Sequence, residues 1–193
     1  MEPIRIAPGL TLSTMHYETA AAGIAAHAPT YALTWEQFVH PAAWWLVPDV
    51  HGQLSKAELT LQEDPERTAK INIWFAADTR RPDGRPSPHS HPWTFRSYIL
   101  GGGYTEDRYR VVDGQVLADL GQEHTEGSTN AVSRDLYHEV TRIHEPGSTM
   151  TLMLCGQGRR GTWGHLDPAT GRCARPDVDP GFTTRLRALN PHR

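Results

Sequence analysis

The sequence is poor in cysteine, and this excludes folds that depend on several disulfides or on cysteine-bound zinc. Cys155 and Cys173 are the only cysteines among its 193 residues. They lack the Cys-x-x-Cys spacing of a zinc knuckle, so no cysteine-based zinc site is expected. Cys155 closes an apolar run and is predicted to be a buried thiol, whereas Cys173 lies in a loop-like stretch. A bridge between the two stays open.

Long hydrophobic runs are also missing. No apolar stretch approaches the roughly 20 residues that a helix needs to cross a bilayer. Residues 1–5 do not begin the pattern of a charged segment followed by an apolar segment that marks a secretory signal. The sequence therefore predicts a cytoplasmic protein that has no membrane partner.

The chain has a small net charge and very little lysine. Its formal net charge is −3 at pH 7, and only Lys56 and Lys70 among its 19 basic residues are lysine. No group of basic residues is dense enough to indicate a nucleic-acid partner. Codon bias explains most of the arginine excess, although guanidinium groups also bind carboxylate or phosphate through two donors.

Alternating apolar segments from about residue 56 predict a mainly β protein. The alternation is clear in four segments, at residues 56–61, 71–75, 136–143 and 149–154. Asp113-Gly114 is typical of the tight turn of a β-hairpin. Many short strands with Gly and Pro turns, and no helix repeating between them, favour a sandwich or barrel.

Helices are expected near the start of the chain, after an edge strand within residues 1–16. Residues 17–27 are rich in alanine, which favours helix. Thr34 followed by Gln37 is typical of a second helix start. We expect one domain over residues 1–193, made of an N-terminal helical or edge extension over 1–55, a barrel core over 56–155 and a loop-rich segment over 156–193.

Three histidines give the strongest indication of function. His89 and His91 are two residues apart, so on a strand both imidazoles point to the same side. His138 lies in a later strand, and the hairpin between the two elements could return it beside the pair. Neutral imidazole is a good ligand for Fe, Zn, Ni, Cu and Mn. The alternative is two exposed histidines in a Pro-rich loop, since the chain contains 11 histidines.

These residues resemble the two motifs of the cupin superfamily. The first motif is similar to His89-x-His91 followed by Ile99-Leu100-x-Gly102 and Glu106, and the second to Tyr137-His138-x-Val140-Thr141. The fuller pattern, with Trp163-Gly164 late in the chain, resembles a group of small single-domain bacterial cupins. The resemblance implies a cupin barrel, that is a double-stranded β-helix or jelly roll, with short helices before it.

The first motif departs from the common cupin pattern at its carboxylate. Where many cupins have a metal-binding Glu, this chain has Phe95 and Arg96, and Arg has no lone pair for a metal. The resemblance then implies a three-His site of His89, His91 and His138, similar to that of thiol-dioxygenase-like cupins. That branch's Ser-x-His and Tyr arrangement is not found downstream, so the ligand set is implied without the substrate. Three histidines leave positions open for substrate or O₂.

Other residues near the motifs are candidates for catalysis. Glu106 is predicted at the rim or in a salt bridge, or as a fourth ligand, and it is also an acid–base candidate. Tyr104 is a second acid–base candidate. His144 is expected on the same strand face as His138 and could carry a proton. His124 and His165 are predicted to be surface residues.

Arg96 is the main candidate for substrate binding. If it faces the interior, it needs a carboxylate, because an unpaired buried charge is expensive. That carboxylate is either Glu106, which we favour slightly, or an acidic substrate. Arg159 is a second candidate anion contact, although arginines in a Gly-rich loop are more often solvated. Trp93 and Tyr98 could line the pocket, although aromatic residues there are more often core.

These residues favour a metal-dependent enzyme. We expect a non-haem iron oxygenase (a dioxygenase-type oxidoreductase) that uses Fe(II) on a small anionic molecule. A non-redox isomerase, lyase or hydrolase that uses Zn, Mn or Ni as a Lewis acid is the alternative. A third reading is a cupin that binds a small molecule without catalysis. The resemblance to cupins also implies a homodimer.

Overall fold

Strands dominate the structure, as the alternating segments predict. The computed structural model describes residues 2–63, 66–78, 81, 83–159, 163–174 and 179–191. The strands are β1 Ile4–Ala7, β2 Leu10–Leu12, β3 Trp44–Pro48, β4 Leu54–Glu63, β5 Thr68–Trp74, β6 Phe95–Gly101, β7 Gly103–Val112, β8 Gln115–Thr125, β9 Thr129–Val132, β10 Tyr137–Ile143, β11 Thr149–Cys155, β12 His165–Asp167 and β13 Arg172–Ala174. The helices are α1 Thr14–His27, α2 Trp35–Phe38 and α3 Phe182–Leu189, with a 3₁₀ turn at Pro41–Ala43. The mainly β fold class is thus confirmed.

The strands form two main sheets. Six strands make the larger sheet, in the order β3-β4-β5-β11-β6-β9, and three make the smaller sheet, in the order β10-β7-β8. His89 extends the smaller sheet, since it pairs with His138 of β10 on one side and with His165 of β12 on the other. From β6 to β12 the chain passes back and forth between the two sheets, which is the connectivity expected of a jelly roll.

Buried side chains show which face of each sheet points inward. Trp74 and Ile99 of the larger sheet cluster with Tyr104, Val140 and Ile143 of the smaller sheet. These contacts mean that the two sheets face each other. The opposite face of the larger sheet carries residues such as Ile71 and Ile73, which pack in a separate cluster with side chains of α1 and α2. In each strand of the larger sheet, the residues that alternate with those under the helices therefore point toward the smaller sheet.

Local signals place the helices and one hairpin as predicted. Ser13 caps α1 by accepting a hydrogen bond from the main-chain N–H of His16 at 3.3 Å. Thr34 and Gln37 form the predicted capping box at the start of α2. Asp113 and Gly114 join β7 to β8 with φ values of 51° and 77°. Two positive φ values are what a tight hairpin turn requires.

Two segments differ from the prediction. Trp44–Pro48 is an edge strand paired with β4 rather than the end of a helical region, because Trp44 and Leu46 alternate into the core under the helices. The segment after residue 156 contains α3, β12 and β13 in addition to loops. Asn190 fixes α3 by accepting a hydrogen bond from the N–H of Leu46 at 2.9 Å and donating one to its carbonyl at 2.8 Å. Within the described ranges, no helix is long and apolar enough to cross a membrane.

Candidate metal centre

Three histidines meet on the inner face of the smaller sheet. The main chains of His89 and His138 exchange two hydrogen bonds of 2.9 Å, so their side chains point to the same face. His91 follows His89 by two residues and points to that face as well. The ring centroids are 4.9 to 5.0 Å apart in all three pairs. One ring nitrogen from each residue lies within 4.8 Å of the other two.

The nitrogens of this group suit a metal ion. Nε2 of His91 lies 2.8 Å from Nε2 of His138, and two imidazole nitrogens this close must share a proton or a cation. Burial, reinforced by the neighbouring His89 and His138, holds the pKa of His91 well below its usual value. His91 is therefore neutral and has a lone pair for a divalent metal. The set of donors fits the metals that imidazole favours.

Glu106 contacts His138 on the side of the ring away from His91. Its side chain is 0% exposed, and its Oε1 lies 2.5 Å from Nδ1 of His138. A carboxylate on Nδ1 fixes the tautomer in which Nε2 has the lone pair, and it also orients the ring. Glu106 is thus a buried partner of His138, which corrects its predicted position at the rim.

Three further hydrogen-bond donors surround Glu106. Arg108 donates from Nε at 2.7 Å, His124 Nε2 lies 3.0 Å away, and Asn130 donates from Nδ2 at 3.1 Å. Arg108 also donates to Asn130. Desolvation alone would raise the pKa of Glu106, but the hydrogen bonds of His124 and His138 and the charge of Arg108 lower it. Glu106 therefore stays ionised, and its salt-bridge partner is Arg108 rather than Arg96.

The predicted surface histidines belong to this neighbourhood. His124 contacts Glu106 as described, and His165 is only 9% exposed. The ring centroid of His165 lies 5.9 Å from that of His89, and its Nδ1 is 3.1 Å from Oγ of Ser87. The prediction failed because each histidine lies outside the motifs, on a strand whose pairing is not visible in the local sequence. The late Trp163-Gly164 pattern was the one signal near His165.

An acidic residue that the sequence analysis missed also lies at the centre. Oδ2 of Asp78 is 3.6 Å from Nε2 of His89. The main-chain N–H of Asp78 donates to the carbonyl of Val140 at 2.9 Å, which fixes the chain beside β10. Nothing in the local sequence around Asp78 indicates this position, because it follows β5 and precedes a Pro- and Arg-rich stretch.

The predicted aromatic residues separate into different environments. Trp93 lies near the histidines, with its ring centroid 6.0 Å from that of His91, and no residue within the described part of the chain accepts a hydrogen bond from its buried Nε1. Tyr104 is buried, and its hydroxyl accepts a hydrogen bond from Asn130 at 2.8 Å. Burial, together with the charge of Glu106, raises the pKa of Tyr104. Tyr98 stacks on His27 of α1, with ring centroids 4.0 Å apart, and so does not face the centre.

Arg96 does not point into the space between the sheets. It is exposed and lies directly opposite Leu154, which packs under the helices. Phe95, its neighbour, takes the buried inner position. Arg159 is also exposed, and its main-chain N–H donates to the carbonyl of Pro92 at 2.8 Å.

His144 lies on the outer face of the smaller sheet, contrary to the prediction. Its Nε2 is 2.7 Å from Glu123 and 3.2 Å from Oγ1 of Thr105. The pairing of β10 with β7 is irregular between Val140 and Arg142. Such a bulge adds one residue and reverses the alternation beyond it, so even spacing from His138 no longer means the same face.

The only two lysines of the chain point to one buried carboxylate. Nζ of Lys56 lies 2.7 Å and Nζ of Lys70 lies 3.0 Å from Glu58, with side-chain exposures of 14% to 16%. Lys56 also lies 4.7 Å above the ring of Trp74. Trp74 belongs to the cluster between the sheets, so the three charged side chains lie on the inner face of the larger sheet. Two lysines and one glutamate give this group a net charge of +1.

The solved structures that match this chain include a cupin. No protein-family model matches this chain, and no curated protein sequence matches it. An RmlC-like cupin from Shewanella frigidimarina is 16% identical with a TM-score of 0.38, and the match covers 59% of this chain and 85% of that chain. A putative mannose-6-phosphate isomerase from Ralstonia eutropha is 15% identical with a TM-score of 0.42, over 58% of this chain and 92% of that chain. The polyketide cyclase RemF from Streptomyces resistomycificus is 17% identical with a TM-score of 0.37, over 70% and 84%.

Proposed function

We propose that this chain is a metal-dependent enzyme whose metal is held by His89, His91 and His138. One observation carries the proposal: three imidazoles from two separate segments of the chain converge with nitrogens within 4.8 Å of one another. The buried carboxylate behind His138 supports it, because oriented ligands with a hydrogen-bonded carboxylate are typical of protein metal sites. A chance group of histidines would not need such a partner.

The finer proposal is a non-haem iron oxygenase. A centre that uses few protein ligands leaves positions for a substrate and for O₂, and Fe(II) is the metal that supplies oxygen chemistry when bound to such a site. In this proposal His89, His91 and His138 hold the ion. Glu106 keeps His138 in one tautomer, and the apolar cluster of Phe95, Val132, Leu136, Met153 and Cys155 limits the access of water.

The substrate is proposed to be a small anion. Arg96 does not support this, because it is exposed on the far side of the sheet. Lys56 and Lys70 support it instead, since they leave one positive charge on the inner face. The buried Nε1 of Trp93 supports a polar acceptor on the substrate. Arg159 remains a second candidate contact for the anion.

A non-redox reaction is the second candidate, and His165 favours it. Nδ1 of His165 is 3.3 Å from the carbonyl of Ser87, which favours the tautomer with a proton on Nδ1 and a lone pair on Nε2. A fixed base beside a metal ligand suits Lewis-acid chemistry with Zn, Mn or Ni. A metal held by the three histidines would supply Lewis-acid polarisation of the substrate, and His165 would move a proton.

Nitric oxide distinguishes the two candidates without knowledge of the substrate. The protein would be loaded anaerobically with Fe(II), exposed to nitric oxide as a probe of O₂-accessible iron, and examined by electron paramagnetic resonance. An iron–nitrosyl signal that is absent from a His89→Ala/His138→Ala variant would support the oxygenase. Oxygen uptake would then be measured with a panel of small carboxylic acids. Stoichiometric iron with no nitrosyl signal would contradict the oxygenase and favour the non-redox candidate.

A further inference from the structure

Two arginines from different sheets line one depression on the protein surface. Arg96 lies on β6 of the larger sheet and Arg110 on β7 of the smaller sheet. The depression has a volume of about 410 Å³ and includes Val132 at the end of β9. Pockets that hold small molecules are typically of this size or larger. The described residues that line it do not include any of the three histidines.

The strand register explains how the two arginines come together. Arg96 lies between Leu154 of β11 and Ala131 of β9, on the face of the larger sheet that points away from the smaller sheet. Arg110 follows Arg108 by two residues on β7, so it lies on the face that points toward the larger sheet. The two side chains therefore come from different sides of the larger sheet and line the same depression at its β9 edge.

The charges of these two arginines are not neutralised by ion pairs. Arg108, two residues before Arg110, is paired with Glu106 at 2.7 Å. Within the described part of the chain, neither Arg96 nor Arg110 makes an ion pair with a carboxylate. Two guanidinium groups in this state attract an anion, and each can bind a carboxylate or a phosphate through two donors.

Asp135 is an exposed carboxylate that senses one of the two charges. A hydrogen bond from the side chain of Ser133 lowers the pKa of Asp135, and the positive charge of Arg110 lowers it further. Asp135 is thus ionised and offsets one positive charge. Two guanidinium groups and one carboxylate leave a net charge of +1 at the depression.

A hydroxyl group and an open glycine lie beside Arg96. Thr94 and Gly156 both line the depression and are both exposed. The main-chain N–H of Gly156 donates to the carbonyl of Thr94 at 2.9 Å, which fixes the two residues side by side. A Cβ on Gly156 would lie 3.3 Å from Oγ1 of Thr94. Glycine at this position therefore keeps the hydroxyl accessible as a further donor to an anion.

Apolar side chains form the rest of the depression. Ala131 is exposed and Leu154 is half-buried, so both offer surface to an apolar group. Phe95 lies at the base, and its ring centroid is 5.0 Å from that of His91, at an interplanar angle of 90°. This ring separates the depression from the three histidines.

We infer that Arg96 and Arg110 form a binding site for an oxyanion, either a carboxylate or a phosphate, carried by a small apolar molecule. The site is separate from the three-His centre and does not require a metal. The arginines and Thr94 bind the oxyanion, and Ala131 and Leu154 contact the apolar part of the ligand.

Calorimetric titration with phenyl phosphate and benzoate tests this site. Arg96→Gln and Arg110→Gln should each weaken the binding of the tighter probe by about tenfold or more, because each removes a charged donor. Arg5→Gln is the matched control, since it removes the same charge from an exposed residue of β1, and it should bind as wild type does. Tighter binding of phenyl phosphate would identify the ligand group as phosphate, and tighter binding of benzoate would identify it as carboxylate.

Two further variants separate this site from general attraction and from the metal centre. Arg96→Lys/Arg110→Lys keeps both charges but lacks the planar pair of donors, so it should bind at least about threefold more weakly. His89→Ala/His138→Ala should bind both probes with the wild-type affinity. Thermal unfolding would show that each variant is folded.

Four results would overturn the inference. The first is the absence of binding of either probe to wild type at millimolar concentration. The second is full affinity in the double lysine variant, and the third is an equal loss in Arg5→Gln, since each would mean that only the overall charge matters. The fourth is a loss of binding in the histidine variant with none in the arginine variants, which would place the anion at the three-His centre.

Discussion

At the scale of single residues, Glu106 is the clearest case of a charged group kept in the interior for a purpose. Ionised carboxylates are rarely fully buried unless they are paired and hydrogen-bonded. Glu106 accepts hydrogen bonds from Arg108 and Asn130 and contacts two histidines. Apolar side chains at these positions would avoid the cost of burying a charge. The presence of the network is therefore best explained by its effect on the orientation of His138.

Glu106→Gln should weaken metal binding. The amide lacks the charge that holds the Nδ1 proton of His138, so the metal affinity should fall by about 10- to 100-fold. The measurement is a competition titration with a chromophoric chelator. Glu126→Gln, an exposed change of the same kind, should leave the affinity unaltered. Equal affinities for wild type and Glu106→Gln would mean that Glu106 does not orient His138 for metal binding.

Glu58 gives a prediction about pH. Burial would raise its pKa, but Lys56 and Lys70 lower it to about 2. A carboxyl whose pKa is lower in the folded state adds stability that is fully present above its unfolded pKa of about 4.3 and is lost as the pH falls toward 2. Glu58→Gln should therefore reduce the free energy of unfolding by about 3 kcal/mol at pH 7. Urea unfolding at pH 7 and pH 3 should show the difference shrinking at the lower pH. A difference that is independent of pH would contradict this explanation.

At the scale of strands, alternation predicted the centre correctly and also caused the main error. The prediction that His89 and His91 share a face held, since both rings lie beside that of His138. His138 and His144 are also an even number of residues apart, but they point to opposite faces because the bulge near Val140 lies between them. A bulge depends on the pairing with β7, which the local sequence of β10 does not specify. Alternation therefore predicts a shared face only as far as the ladder stays regular.

The turn before β7 gives a prediction at this scale. Gly102 has a φ of +62°, and a Cβ there would lie 2.9 Å from Cα of Thr149. Gly121 has a similar φ of +70° with nothing within 4 Å. Both alanine variants carry the cost of a positive φ, about 1–2 kcal/mol. Gly102→Ala should lose at least about 1 kcal/mol more, because the main chain of β11 must move. Chemical denaturation of both variants measures the loss in free energy of unfolding. Equal losses would mean that the main chain at Thr149 can move away from the new Cβ without an energetic cost.

At the scale of the whole molecule, sequence patterns predicted the mainly β fold and three residues of the candidate centre. The alternating segments indicated the mainly β fold, and the two motifs indicated the meeting of His89, His91 and His138. Asp78 lies beside His89 in the segment that follows β5, and His165 lies at the start of β12, and neither position is marked by a motif. Arg96 was misjudged because its neighbour Phe95 occupies the inner position, and the sequence alone does not distinguish these two orientations.

Metal binding should stabilise the whole fold. The three histidines come from two segments that are far apart in the sequence and are joined by main-chain hydrogen bonds between His89 and His138, so the unfolded chain has no comparable site. A free metal concentration of 100 times Kd should add about 2.7 kcal/mol to the free energy of unfolding. Thermal unfolding of wild type should thus shift upward as metal is added, and the His89→Ala/His138→Ala variant should not respond. The exposed pair His40→Ala/His51→Ala should respond as wild type does.

The metal content of the purified protein shows whether the three histidines hold an ion. Elemental analysis would be made without added metal on the wild-type protein and on the His89→Ala/His138→Ala variant. We expect close to one iron, zinc, manganese or nickel ion per chain in wild type and almost none in the variant. If neither protein holds metal, even after incubation with Fe(II), Zn(II), Mn(II) or Ni(II), the histidines do not form a metal centre and the account is wrong.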